Sequence, residues 1–215
     1  MEKKKIVPAG KTSCELIVSK SRFIGSMDYA SSIDEAREFI RSIQADFPDA
    51  SHHVPAFIIG HEATRITHCS DAGEPAGSSG RPALAVLEGS GLGDVVVVVT
   101  RYFGGTKLGI GGLVRAYGDT VRELVAKTKR AQKVSAMAMK LKFTYPYVER
   151  IRSLILDNSG QVISEEFEVG VITEAMIPIN NLDNFENQLA NLTGGAASVT
   201  RLDELEVLVP INSGR

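Results

Sequence analysis

Asp94-Val-Val-Val-Val-Val-Thr-Arg-Tyr-Phe-Gly-Gly-Thr-Lys-Leu-Gly-Ile-Gly-Gly-Leu-Val-Arg115 joins a strand, a glycine-dense loop and the start of a helix, and its reading decides the fold. Asp94 to Thr100 is an unbroken β-branched run, which predicts a central strand buried on both faces. Five of the fifteen residues from Arg101 to Arg115 are glycine, so the backbone there can adopt positive φ and bring its N–H groups close to another chain or an anion. Beyond the loop, Leu113, Ala116, Tyr117, Thr120, Val121, Leu124 and Val125 fall on one face of a helix reaching about Lys129, with Arg115, Arg122 and Lys129 on the polar side.

Upstream, Ser13 to Ile24 reads as one strand followed by a turn near Asp28. Ser32-Ile-Asp-Glu35 is a capping box, and Ile33, Ala36, Ile40 and Ile43 continue at helical spacing until Phe47-Pro48. Ala56 to Ile59 and Arg65 to Cys69 read as a hairpin around His61 to Thr64. Ser70 to Pro82 is a long Gly/Pro/Ser loop, and Ala83 to Glu88 a short helix entered through Pro82. Downstream, Ala136 to Thr144, Gln161 to Glu168, Val171 to Ile179 and Val199 to Val209 read as strands. Tyr147 to Asp157 and Leu182 to Leu192 read as helices. That order, strand-helix-strand-strand-helix-strand, is the ferredoxin-like arrangement. The expected architecture is α+β in two domains, 1–133 and a ferredoxin-like 134–215.

With 215 residues and 43% hydrophobic composition, the chain is long enough to bury a substantial core. A purely apolar run as long as any in the chain, Val95 to Val99, is far short of a bilayer span, and Met1-Glu-Lys-Lys-Lys opens no signal peptide, so a cytoplasmic protein without membrane contact is expected. Cys14 and Cys69 make no framework, and reduced thiols are the expectation. The net charge of −2 conceals an asymmetry: residues 1–133 hold 18 Lys and Arg against 15 Asp and Glu, a balance of +3, and the remainder 6 against 11, or −5. Arg101 to Lys133 alone carries eight cations against two carboxylates, so the glycine loop heads the most basic segment of the chain.

The loop fits no standard nucleotide pattern. Gly104 to Gly109 is followed by Ile110 rather than the Lys-Ser/Thr of a Walker A loop, and a dinucleotide fingerprint begun at Gly109 meets Val114 where glycine belongs. What remains is physical: Gly109, Gly111 and Gly112 lie where a helix begins, and its N–H groups and dipole favour an anion. Arg101, Tyr102, Gly104, Gly105, Lys107, Gly109, Gly111, Gly112 and Arg115 are therefore the candidate phosphate-binding residues, with Tyr102 or Phe103 as a stacking platform. In the Ser70 to Pro82 loop, Asp71 and Glu74 have the makings of a carboxylate pair, with Ser78 or Ser79 as nucleophile and Arg81 as oxyanion partner. The preferred reading of those carboxylates is that they cap backbone N–H groups or pair with a nearby Arg. His52, His53, His61 and His68 with Cys69 match no ligand spacing, and no metal, cofactor or catalytic residue is expected.

Ser21-Arg22-Phe23-Ile24, His52-His53, Ser70-Asp71, Gly73 to Gly77 and nearly all of Val97 to Gly118 resemble the IMPACT family over most of residues 1–130. Ala72 replaces a usual acidic residue and Ser78-Ser79 a usual Thr-Ala. The resemblance implies a first domain with a left-handed βαβ fold like domain IV of elongation factor G, and a second like the small ferredoxin-like domain of bacterial members. Eukaryotic relatives regulate translation through an extra N-terminal domain that binds the activator of a stress kinase, a partner not expected here. The expected function is RNA or ribosome binding with a role in translation or its regulation. A small-molecule phosphate or nucleotide enzyme is the alternative. A protein-interaction module docking through the acidic second domain is the third reading.

Overall fold

The computed structural model describes residues 4–211, which divide into two compact units, 4–132 with 210–211 and 133–209. The first holds β1 (Lys5–Pro8), β2 (Thr12–Val18), β3 (Ser21–Tyr29), α1 (Ile33–Asp46), β4 (His52–Ile59), β5 (Ile66–Cys69), α2 (Gly80–Gly89), β6 (Val95–Tyr102) and α3 (Gly109–Lys127). Its five-stranded sheet runs β2-β3-β6-β4-β5 with every neighbour antiparallel. The five valines of β6 are each 0% exposed, the central strand that an unbroken apolar run requires. Their alternation divides two cores: Val95, Val97 and Val99 pack with Leu87 of α2 and Leu113, Tyr117, Val121 and Leu124 of α3, while Val96 and Val98 pack with Ala36, Phe39 and Ile43 of α1. Helices thus cover both faces of the sheet, and each fully buried valine contributes roughly 1.5 kcal/mol of hydrophobic stabilisation at most.

α1 begins as its capping residues dictate. The Ser32 hydroxyl accepts from Glu35 N–H at 3.1 Å, and the Glu35 carboxylate returns to Ser31 N–H at 2.7 Å, one residue earlier than the simplest capping box. The expected single strand over Ser13 to Ile24 is instead a hairpin. Ser19 and Lys20 turn it with φ of 46° and 66°, the paired positive φ of a tight two-residue turn, and β3 then runs to Tyr29. α2 starts at Gly80, earlier than expected from Pro82, because the Asp71 carboxylate accepts the N–H groups of Ser79 and Gly80 at 3.1 and 2.8 Å. α3 ends at Lys127, where Thr128 N–H and its hydroxyl both bond to the Leu124 carbonyl.

The second unit takes up most of β7 (Arg130–Phe143), then α4 (Val148–Asp157), β8 (Gln161–Phe167), β9 (Val171–Pro178), α5 (Leu182–Thr193) and β10 (Ser198–Pro210). Its strands lie in the order β8-β9-β7-β10, the ferredoxin-like sequence. Both helices pack on one face of the sheet, Ile151, Ile155, Phe185 and Leu189 meeting Met139, Leu141, Ala175 and Ile177. Pro210 and Ile211 belong to the first unit rather than the second, with Ile211 N–H bonded to the Arg130 carbonyl at 2.9 Å. Among the described residues no helix is long and apolar enough to cross a membrane.

Candidate functional site

Register explains where Arg101 goes. It continues the parity of Val95, Val97 and Val99 on β6 and pairs with Phe23 of β3 and His52 of β4, so its side chain enters the core that α3 covers. Arg101 is 5% exposed, and its Nη1 donates to Glu74 Oε1 at 2.7 Å. The same oxygen accepts from the Tyr117 hydroxyl at 2.7 Å, and Arg101 Nη2 donates to Ser21 Oγ at 3.3 Å. Phe23 and Phe103 place their rings 5.4 and 5.5 Å from the guanidinium carbon. Burial, and then the bond to Glu74, raises the Tyr117 phenol far above its ordinary pKa, so it remains a neutral donor. His52 Nδ1 meets the Ala72 carbonyl at 2.9 Å, and its Nε2 lies 3.9 Å from Glu74 Oε2.

Arg101 is accordingly not a surface cation facing phosphate; its charge is spent on Glu74. Asp71 and Glu74 do not form a catalytic pair either. Asp71 accepts from the N–H groups of Gly77, Ser79 and Gly80 and from the Ser79 hydroxyl at 2.8 Å. Burial pushes its carboxyl up, but these bonds outweigh burial and hold it at about 2. One carboxylate thus caps α2 and the other neutralises a buried arginine. Ser79 is committed to Asp71, and Ser78 donates to the Pro75 carbonyl at 2.6 Å, so neither is a poised nucleophile. Arg81 is exposed and, among the described residues, pairs with neither acid.

Tyr102, one residue further along β6, points the other way. Its hydroxyl donates to Asp49 at 2.8 Å, and Arg22, its register partner on β3, lies 5.6 Å over its ring. A base cannot use that face without displacing Arg22; Phe103, 50% exposed, likewise has the Arg101 guanidinium over one face of its ring, which leaves the other face for a base. Gly104 answers a packing need: a Cβ there would overlap the Lys20 carbonyl and the Ser21 nitrogen of the β2–β3 turn, and its own N–H donates to Ser21 Oγ at 3.1 Å.

The rest of the loop faces outward. Gly105, Lys107, Gly109, Gly111 and Arg115 are exposed and Gly112 partly so. Gly105 and Gly109 have φ of 83° and 72°, and at Gly105, Gly109 and Gly111 a Cβ would meet no atom of the described residues within 4 Å beyond the adjoining backbone. α3 begins with no side-chain cap and no acidic residue in its first turn, leaving its first N–H groups to solvent. Among the described residues no side chain pairs with Lys107 or Arg115. The candidate residues therefore split into a lock built on the buried Glu74–Arg101 pair, a half-buried Asp71 that caps α2, and an open surface from Gly105 to Arg115. Sequence reasoning missed Ser21, His52 and Tyr117 as members of the lock; the available signal was a tyrosine in an apolar helix face, whose hydroxyl needs a buried acceptor.

The remaining histidines each have a contact within the first unit. His53 Nδ1 meets Thr100 Oγ1 at 3.2 Å, His61 lies 3.5 Å from Asp94, and the exposed His68 ring lies 5.1 Å from that of Phe57, tilted by 30°. Among the described residues no group of three metal-ligating side chains converges.

Residues 19–125 match the Impact N-terminal domain, and residues 141–196 match a domain of unknown function, DUF1949. The chain is 32% identical over 93% of its length to IMPACT family member YigZ of Escherichia coli strain K12, spanning 98% of that protein. It is 33% identical over 86% of its length to IMPACT family member YvyE of Bacillus subtilis, spanning 85% of it. A crystal structure of a hypothetical protein, 31% identical, superposes with a TM-score of 0.62 and covers 94% of this chain and 99% of the other. A mixed α+β fold built from those two domains, with sequence identity sustained along nearly the full length of both bacterial relatives, places this chain in the IMPACT family.

Proposed function

We propose that the chain binds RNA through its phosphate backbone at the Gly105 to Arg115 surface, in a role in translation or its regulation. One observation carries the reading: a 19-residue helix opens without a side-chain cap or a first-turn carboxylate, beside two exposed cations that no acid among the described residues neutralises. Such a terminus presents N–H donors and the positive end of the dipole to an anion. Lys107 and Arg115 add charges that reach phosphates without selecting a base. Open space around Gly109 and Gly111 lets a backbone approach the helix end closely. Phe103, half-exposed beside the loop, supplies a ring on which an unstacked base can rest.

Filter binding of rRNA and tRNA across a salt series tests the reading. Log K falls linearly with log salt, and Lys107→Ala reduces the slope by about 0.7 for a single-stranded contact. Absence of salt-sensitive binding to rRNA, tRNA or ribosomes removes the proposal.

A further inference from the structure

The opposite end of α3 carries a second cationic feature. A cavity of about 1200 Å³ within the first unit is lined by Arg122, Lys127, Lys129 and Arg130, with Val86 and Val125 on its apolar wall, and no lining residue is acidic. Two of the cations have nearby counter-charges: Arg122 lies 3.2 Å from Asp119 and Lys127 3.0 Å from Glu123. Both are exposed pairs on the helix surface, of the weak kind that a competing anion can exchange. Lys129 and Arg130 are exposed and, among the described residues, their side chains have no partner. They lie beyond the last turn of α3, where the Thr128 bonds to Leu124 end the helix and the chain becomes extended.

The position constrains the ligand. The carbonyls at this end of α3 carry the negative pole of the helix, which disfavours a single anion lodged tightly on the axis. Complementing that pole explains Lys127 in the last turn, but not two further cations past the end. Long flexible side chains around an open apolar wall suit negative charge spread along a chain, met at several points. The wall holds no aromatic ring to grip a free nucleotide's base.

We infer that this cleft is a second contact for a nucleic-acid phosphate backbone, so that one strand is held at both ends of α3. The inference rests on the reading of the first unit as RNA-binding. The 19 residues of α3 separate its ends by about 28 Å, and Arg115 and Arg122, seven residues apart, stand nearly in line between them.

The test uses the full chain, a fluorescently labelled oligouridylate of about 16 nucleotides, and anisotropy titrations over a salt series. Lys129→Ala with Arg130→Ala, and separately Lys107→Ala with Arg115→Ala, should each reduce the slope of log K against log salt by about 1.4. Arg37→Ala with Arg41→Ala removes the same charge from α1, on the opposite face of the sheet, and should leave the slope unchanged; matching melting temperatures establish that the variants are folded. A cleft variant indistinguishable from that control, beside a loop variant that loses slope, overturns the second contact and leaves the loop reading standing. The reverse pattern upholds the cleft and overturns the loop. No salt-dependent binding by the unmodified chain overturns both.

Discussion

Arg101 and Glu74 are opposite charges withdrawn from water together, 5% and 9% exposed. Neither is tolerable there alone, and removing one partner of such a pair costs about 3–5 kcal/mol because the survivor keeps its charge in the core. The pair ties the Ser70 to Pro82 loop to the central strand, and Tyr117 fastens the same carboxylate to α3. Asp71 works differently, since its bonds are to backbone donors that a helix start leaves unpaired. Its folded pKa of about 2 lies below its ordinary 3.8, so the unfolded chain takes up the proton first as pH falls. The stabilisation is therefore complete above roughly pH 4 and is lost as pH falls through about 2. Urea unfolding should show Asp71→Ala less stable than the unmodified protein by about 1 kcal/mol at neutral pH. The gap should close between pH 4 and pH 2; a gap that persists unchanged at pH 2 would show that Asp71 does not titrate as its contacts dictate.

At the scale of elements, the glycines of one loop do opposite jobs and should answer mutation oppositely. Gly104 is where the loop crosses the β2–β3 turn, and Gly104→Ala forces backbone against backbone, which should lower stability by roughly 1–3 kcal/mol. Gly111 is helical with open space around it, so Gly111→Ala should raise the melting temperature, by an amount equivalent to about 0.5–1 kcal/mol, while weakening RNA binding by obstructing the helix end. Thermal unfolding paired with filter binding separates the two, and a Gly111→Ala protein that binds RNA undiminished would remove that helix turn from the interface. This division was only half legible in the sequence. The valine run, the Ser32 cap, the helix face of α3 and the ferredoxin-like order could be read because periodicity and capping are local. That the loop carboxylates cap backbone or pair with an Arg could be read from residue type, but not which partners Glu74 takes, because they lie 27 and 43 residues away. Arg101 nevertheless announced its burial by sharing the parity of Val95, Val97 and Val99. The β2–β3 hairpin escaped because its two positive-φ residues are Ser19 and Lys20, without the Asn or Gly that ordinarily marks such a turn.

Across the whole molecule, protection from solvent is distributed very unevenly. β6 is hydrogen-bonded on both sides and covered on both faces, whereas β8 is an edge strand with six of its seven residues exposed, and β10, at the other edge of its sheet, is exposed from Ser198 to Glu206. Hydrogen bonds at a solvated edge open without unfolding the core behind them, while those of β6 break only when both helical layers and two neighbouring strands let go. Native-state hydrogen exchange should therefore find the Val96 and Val98 amides exchanging at the free energy of full unfolding of the first unit, with the denaturant dependence of that transition. The amides of Ser164 and Glu166 should exchange at lower free energy and with little denaturant dependence, as expected for local opening. Equal protection in β6 and β8 would mean that edge exposure does not set stability here, and that something beyond the contacts of the second unit holds β8 in place.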